Sequence, residues 1–141
     1  VASSLLSLGS EHAMVIHSKD GLDEISIAAD TVVCELRNGR LDRYVVSPVD
    51  FDLPLQTLEG LDVQNACQSA EVIKRALAGD SNPIFKKAAN MLAMNAGATI
   101  YISGVASSFT EGVAKAKKVL NNGEAEAKLR SFTEFSAAVL S

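Results

Sequence analysis

Apolar residues at positions 1, 5 and 8 keep helical spacing, and Gly9 follows as a stop, so the chain opens as the tail of a helix. The period then changes. Ala13-Met-Val-Ile-His17 is a short continuous apolar run, which predicts a buried strand, and the helix ahead of it points to parallel pairing. Ser18 to Asp30 reads as a loop rich in Asp and Gly. Thr31 to Leu36 and Leu41 to Val46 are β-prone runs on either side of Asn38-Gly39, which predicts a hairpin. A turn of only these two residues sets Glu35 opposite Asp42, a repulsive pair that argues for a shifted register.

Pro48 and Pro54 oppose regular structure between Pro48 and Gly60. Helical signals dominate beyond that connector. Asp62 is a cap for apolar positions 63, 66, 70, 73 and 77, with Gly79 as the stop. Asn82 is a second cap, and Pro83 occupies the favoured first helical position. The helix it opens runs to about Gly104 and is apolar on most sides, through Ala88, Leu92, Ala93, Ala96, Ala98, Ile100 and Ile102, as a buried central helix should be. Ser108-Phe-Thr-Glu111 is a capping box ahead of Val113, Ala116 and Leu120, and Gly123 ends that helix. A last helix carries Ala125, Leu129, Phe132 and Val139. There is no repeat.

The order of helix, strand, hairpin and then helices describes an α/β domain with an unfinished sheet. One short parallel strand beside one hairpin needs neighbours that the sequence does not supply. The expectation is therefore a part of a larger domain, entered midway at Val1.

Composition narrows the classes. The 141 residues suffice for one domain with a real core. Hydrophobic residues make up 48%, with no apolar run long enough to cross a bilayer and no signal-peptide pattern at the start. The net charge is −4 and the basic residues are scattered, which disfavours a sequence-independent nucleic-acid surface. Cys34 and Cys67 form no CxxC pair and stand near no His at ligand spacing, so they read as reduced, partly buried thiols of a cytoplasmic protein.

Candidate chemistry is concentrated in Lys19-Asp20-Gly21-Leu22-Asp23-Glu24, directly after the predicted strand. Ligands in open α/β sheets collect beyond the carboxyl ends of strands. Clustered carboxylates with a glycine for the turn suit a hard cation such as Mg²⁺, which takes one or two of them and fills its remaining positions with phosphate oxygens and water. The competing reading is a solvated acidic loop. His17, beside this loop, reads as a structural histidine with its hydrogen bonds satisfied, ahead of the competing reading of a ligand contact. His12 has no visible partner. Asn65 and Asn95 read as structural, and Asn95, on a largely apolar helix, needs a buried hydrogen-bond partner. Gly97 and Gly104 read as points of close helix packing. No Ser/His/Asp or Cys/His nucleophile and no phosphate-cradling glycine loop occurs.

Gly9-Ser-Glu-His-Ala-Met-Val-Ile-His17 followed by Asp20-Gly-Leu-Asp-Glu-Ile-Ser26 closely resembles a signature of the anthranilate phosphoribosyltransferases. Pro48-Val-Asp-Phe51, Asn65-Ala66, Met94-Asn-Ala-Gly97, Glu111-Gly-Val-Ala-Lys-Ala116 and Gly123-Glu-Ala125 extend the resemblance along essentially the whole chain. It departs at Asp50-Phe51-Asp52-Leu53 and Leu58-Glu-Gly-Leu-Asp62, where many relatives have glycines; both look like loop variation. The resemblance implies the C-terminal part of a nucleoside phosphorylase/phosphoribosyltransferase-like α/β domain over residues 1–141, a short strand plus a β-hairpin packed with several helices. It implies Mg²⁺ as cofactor, held at Asp23 and Glu24 with the pyrophosphate-bearing substrate. It implies phosphoribosyl pyrophosphate and anthranilate as substrates, and a homodimer formed through a helical N-terminal domain outside this chain. The family's Gly-Thr-Gly-Gly-Asp phosphate loop, its Lys-His-Gly-Asn segment and its anthranilate-contacting Arg are not in the sequence, so the chain alone is expected to be inactive. Two other classes compete: a non-catalytic nucleic-acid-binding paralogue, which the acidic balance opposes, and a pyrimidine nucleoside phosphorylase-like enzyme, which Asp20-Gly-Leu-Asp-Glu24 fits poorly.

Overall fold

Asn38 and Gly39 both adopt positive φ, 51° and 76°. That is the geometry of a type I′ turn, whose twist matches the strands it joins. In the computed structural model, which describes residues 1–140, β2 (Thr31–Arg37) and β3 (Arg40–Val46) leave this turn antiparallel. The expected register shift does not occur: Glu35 does face Asp42. The repulsion is offset because the two carboxylates have different partners. Glu35 is buried and accepts hydrogen bonds from Tyr44, Tyr101 and His12, while Asp42 stays exposed with the Arg40 guanidinium 3.9 Å away.

A six-residue helix, α1 (Ala2–Ser7), leads through Gly9 into β1 (His12–Ser18). This strand is not parallel as expected. It pairs antiparallel with β2, from His12 opposite Arg37 to Ser18 opposite Thr31, and the sheet has the order β1-β2-β3. A helix ahead of a strand implies parallel pairing only with a strand that precedes the helix. Here the loop after β1 turns the chain back, and the next strand becomes the neighbour.

A 3₁₀ turn, Pro48–Phe51, follows the sheet. Helix α2 (Ala66–Leu77) is capped by Asn65 rather than Asp62: the Asn65 side chain accepts from the Gln68 amide at 3.0 Å. Helix α3 (Pro83–Ile102) starts as expected, with the Asn82 side chain accepting from the Ile84 amide at 3.0 Å. Ser108 opens α4 (Phe109–Asn121) by accepting from the Glu111 amide at 3.1 Å. The return half of that box is displaced by one residue, because the Glu111 carboxylate accepts from the amide and hydroxyl of Ser107. Helix α5 (Glu124–Leu140) closes the chain with Phe132, Phe135 and Val139 exposed.

One core joins the sheet, the loop after β1 and the α3–α4 pair. It is built from Ile25, Ile27, Val33, Phe51, Met94 and Val113 with their neighbours. Ile25 and Ile27 are fully buried, and each such side chain contributes about 1.5–3 kcal/mol. Gly97 fulfils its expected role, since a β-carbon there would lie 2.6 Å from the Val113 backbone. Gly104 does not: no atom lies within 4 Å of its β-carbon position. Its φ of +78° instead turns the chain out of α3.

Candidate metal centre

The loop between β1 and β2 is pinned at its base and exposed at its tip. At the base, the Lys19 amide donates to the Asp30 carbonyl at 2.8 Å, and the Lys19 ammonium meets the Asp30 carboxylate at 2.8 Å. That ammonium holds the Asp30 carboxyl below the usual carboxylate value. Gly21, at φ +95°, makes the bend that any side chain would strain, and the Ser18 amide donates to the Leu22 carbonyl across it.

Asp20 closes the loop from within. One carboxylate oxygen accepts from the Leu22 amide at 3.3 Å, and the other accepts from the Ser26 hydroxyl at 2.6 Å. Burial pushes this carboxyl up, but the nearby Ser18 hydroxyl and the hydrogen bonds from Ser26 and Leu22 outweigh that and hold it below its ordinary value. Ser26 in turn accepts from the Ala28 amide, and its own amide donates to the Thr31 hydroxyl. Of the clustered acids, Asp20 is thus occupied by the loop itself.

Asp23 and Glu24 are not. Both are exposed, and among the described residues neither carboxylate has a hydrogen bond or an ion pair. They stand immediately before Ile25, Ser26 and Ile27, all fully buried. A rigid anchor therefore carries two free carboxylates. Beside them lies an apolar cleft of about 260 Å³ between α2 and α3, with Glu24 and Asn95 among its lining residues.

Hard oxygen donors suit a hard cation. No group of three or more His, Cys, Asp or Glu side chains is poised to hold a metal among the described residues. A full protein cage, as zinc or calcium sites use, is therefore not what this loop offers. A pair of carboxylates that leaves positions for substrate oxygens and water fits Mg²⁺.

Other candidate residues lie elsewhere. His17 is exposed on β1, and its imidazole has no hydrogen bond among the described residues, so the structural role expected of it is not seen. His12 has that role instead: its Nε2 lies 2.9 Å from Glu35 Oε1, and its ring meets Tyr101 edge-on at 4.9 Å. Asn65 caps α2. Cys67 is exposed rather than partly buried, and both thiols are free. Sequence reasoning missed what Asn95 binds: the Ile25 backbone, directly after Glu24. The one sequence signal for it is a polar amide among apolar positions.

The chain matches the profile described as glycosyl transferase family, a/b domain, over residues 1–126. It is 47% identical over 139 residues to an anthranilate phosphoribosyltransferase from Acinetobacter baylyi, covering 99% of this chain and 40% of that protein. A crystal structure of anthranilate phosphoribosyltransferase (TrpD) from Thermus thermophilus superimposes with a TM-score of 0.80 at 31% identity, over 95% of this chain and 38% of that one. The enzyme from Saccharomyces cerevisiae in complex with PRPP and Mg gives 0.77 at 22% identity, over 96% and 38%, a likeness of fold. The three antiparallel strands and five helices thus match a region of the α/β domain of these proteins. The chain spans about two fifths of the length of the curated relatives it matches.

Proposed function

The chain belongs to the glycosyl transferase family, whose a/b domain it matches, and on that premise we propose that it is the C-terminal part of an anthranilate phosphoribosyltransferase. The reaction joins the anthranilate nitrogen to the ribosyl carbon of phosphoribosyl pyrophosphate. The carbon–oxygen bond to pyrophosphate breaks as the nitrogen–carbon bond forms, and the nitrogen then loses a proton.

Asp23 and Glu24 would carry this chain's share of the chemistry by holding Mg²⁺ together with the pyrophosphate-bearing substrate. The positive charge supplied there would offset the negative charge that builds on the leaving group. Neither carboxylate serves as a base. The aromatic amine is already a neutral nucleophile, and adjacent loop carboxylates are suited to share one cation. Asp20 keeps the loop closed, and the buried Ile25–Ser26–Ile27 run prevents the pair from swinging away. The observation that supports the reading is this: of the four acids in the loop, Asp20 and Asp30 are held by partners within it, and the two left without a partner among the described residues are the pair that the family motif assigns to Mg²⁺.

The phosphate loop and the anthranilate contacts belong to parts of the enzyme outside this chain. So does the helical domain through which the homodimer forms. Two free cysteines fit a reducing compartment, and the proposed location is the cytoplasm. The test is to assay the full-length protein carrying this chain, and the chain alone, for loss of anthranilate. The full-length protein should consume anthranilate only with phosphoribosyl pyrophosphate and Mg²⁺, and the chain alone should consume none. Phosphorolysis of a pyrimidine nucleoside, or DNA binding without turnover, would overturn the reading.

A further inference from the structure

We propose that Asn95 is a positioning residue that sets the Asp23–Glu24 pair for its cation; this rests on the metal reading above. Asn95 lies on α3, where it grips the backbone of Ile25 at two points. The Ile25 amide donates to Asn95 Oδ1 at 3.0 Å, and Asn95 Nδ2 donates to the Ile25 carbonyl at 3.0 Å. Nδ2 also donates to the Met91 carbonyl at 3.0 Å, one turn back on the helix. The amide orientation follows from these partners, because the reversed group would set NH₂ against the Ile25 N–H and an oxygen against two carbonyls.

The gripped amide is the one that joins Ile25 to Glu24. Fixing both peptide groups of Ile25 removes the backbone freedom that would let the carboxylates drift. The grip comes from a rigid element, since α3 is a 20-residue helix locked to α4 through Gly97. Glu24 and Asn95 also line the same cleft, so the clamp and its load are neighbours.

The residue type is informative. Asn is a poor helix-interior residue, and Ala or Leu would serve α3 better. An amide accepts from the Ile25 N–H at one atom and donates two N–H groups from the other, which matches one amide and two carbonyls. Asp would lose the donors and set a further negative charge near Glu24. Partners that orient metal ligands typically control affinity by one to two orders of magnitude.

The experiment is a Mg²⁺ titration of the full-length protein carrying this chain, read both as transferase activity and as calorimetric Mg²⁺ binding in the presence of pyrophosphate, with melting temperature measured in parallel. Asn95→Ala should raise the half-saturating Mg²⁺ concentration by about tenfold, with kcat largely recovered at saturating Mg²⁺. Ser108→Ala, which uncaps α4, should lower the melting temperature and leave the Mg²⁺ dependence unchanged. If Asn95→Ala folds poorly, Asn95→Gln is read by the same titration, because it stays neutral and displaces the amide by one methylene. A folded Asn95 variant with wild-type Mg²⁺ dependence overturns the inference. The Asp23→Ala/Glu24→Ala variant separates the two claims: if it too keeps wild-type Mg²⁺ dependence, the metal reading itself has failed, and if it does not, only the positioning role has.

Discussion

Glu35 shows how single residues here tie elements together. Its Oε1 accepts from the Tyr101 hydroxyl at 2.7 Å and from His12 at 2.9 Å, and its Oε2 accepts from the Tyr44 hydroxyl at 2.8 Å. Strands β1, β2 and β3 and helix α3 therefore meet at one carboxylate. Burial pushes the Glu35 carboxyl up, but the hydrogen bonds from Tyr101, Tyr44 and His12 outweigh burial and leave it below its ordinary value of 4.5. Glu111 is lowered further, to about 2, by the Ser107 hydroxyl and amide and by Lys115. A carboxyl depressed in the folded state adds stability above its unfolded value, and that stability is lost as pH falls through the folded one. The melting temperature should therefore drop as pH is lowered from 4.5 towards 2, and Glu35→Gln and Glu111→Gln should each flatten that decline. A decline as steep in both variants as in the parent would show that these carboxyls are not its source. Of these contacts, the Glu111 cap was legible in the sequence because its partners are close neighbours. Tyr101 lies 66 positions from Glu35, and Asn95 lies 70 from Ile25, so no local pattern pairs them.

Local rules gave sound element boundaries wherever the signal was stereochemical. Asn38-Gly39 makes the predicted turn, and Asn82-Pro83 begins the predicted helix. They failed at the direction of β1, which depends on its partner strand, and at the cap of α2. The α3–α4 contact is the firmest prediction at this scale. A β-carbon on Gly97 would stand 2.6 Å from backbone atoms of Val113, and one on Gly112 would collide with the Gly97 carbonyl oxygen. Backbone cannot yield as a flexible side chain can. Gly97→Ala should cost about 3 kcal/mol or more, read by denaturant unfolding, whereas Gly104→Ala costs only its positive φ, about 1 kcal/mol. Equal losses in the two variants would contradict the close crossing.

At the scale of the whole molecule, the chain exposes surfaces that one domain would normally cover. Strand β1 ends the sheet with an unpaired edge among the described residues, and Phe132, Phe135 and Val139 stand 63%, 69% and 67% exposed along α5. Open edges and apolar patches promote association. Sedimentation of the isolated chain should give species heavier than 14.8 kDa, and a monodisperse monomer at micromolar concentration would contradict this. The sequence argument for an unfinished sheet rested on a lone parallel strand, and that premise fails, because β1 pairs antiparallel with β2. Asp23 and Glu24 are proposed to hold the cation of the pyrophosphate-bearing substrate. The most direct test of that role is the Mg²⁺ dependence of anthranilate consumption by the full-length protein with Asp23→Ala/Glu24→Ala. Turnover should fall at least about a hundredfold and the Mg²⁺ requirement should shift upward. Stability should change by no more than about 0.5 kcal/mol, because both side chains are exposed and unpartnered among the described residues. Normal turnover with an unchanged Mg²⁺ requirement would contradict the account.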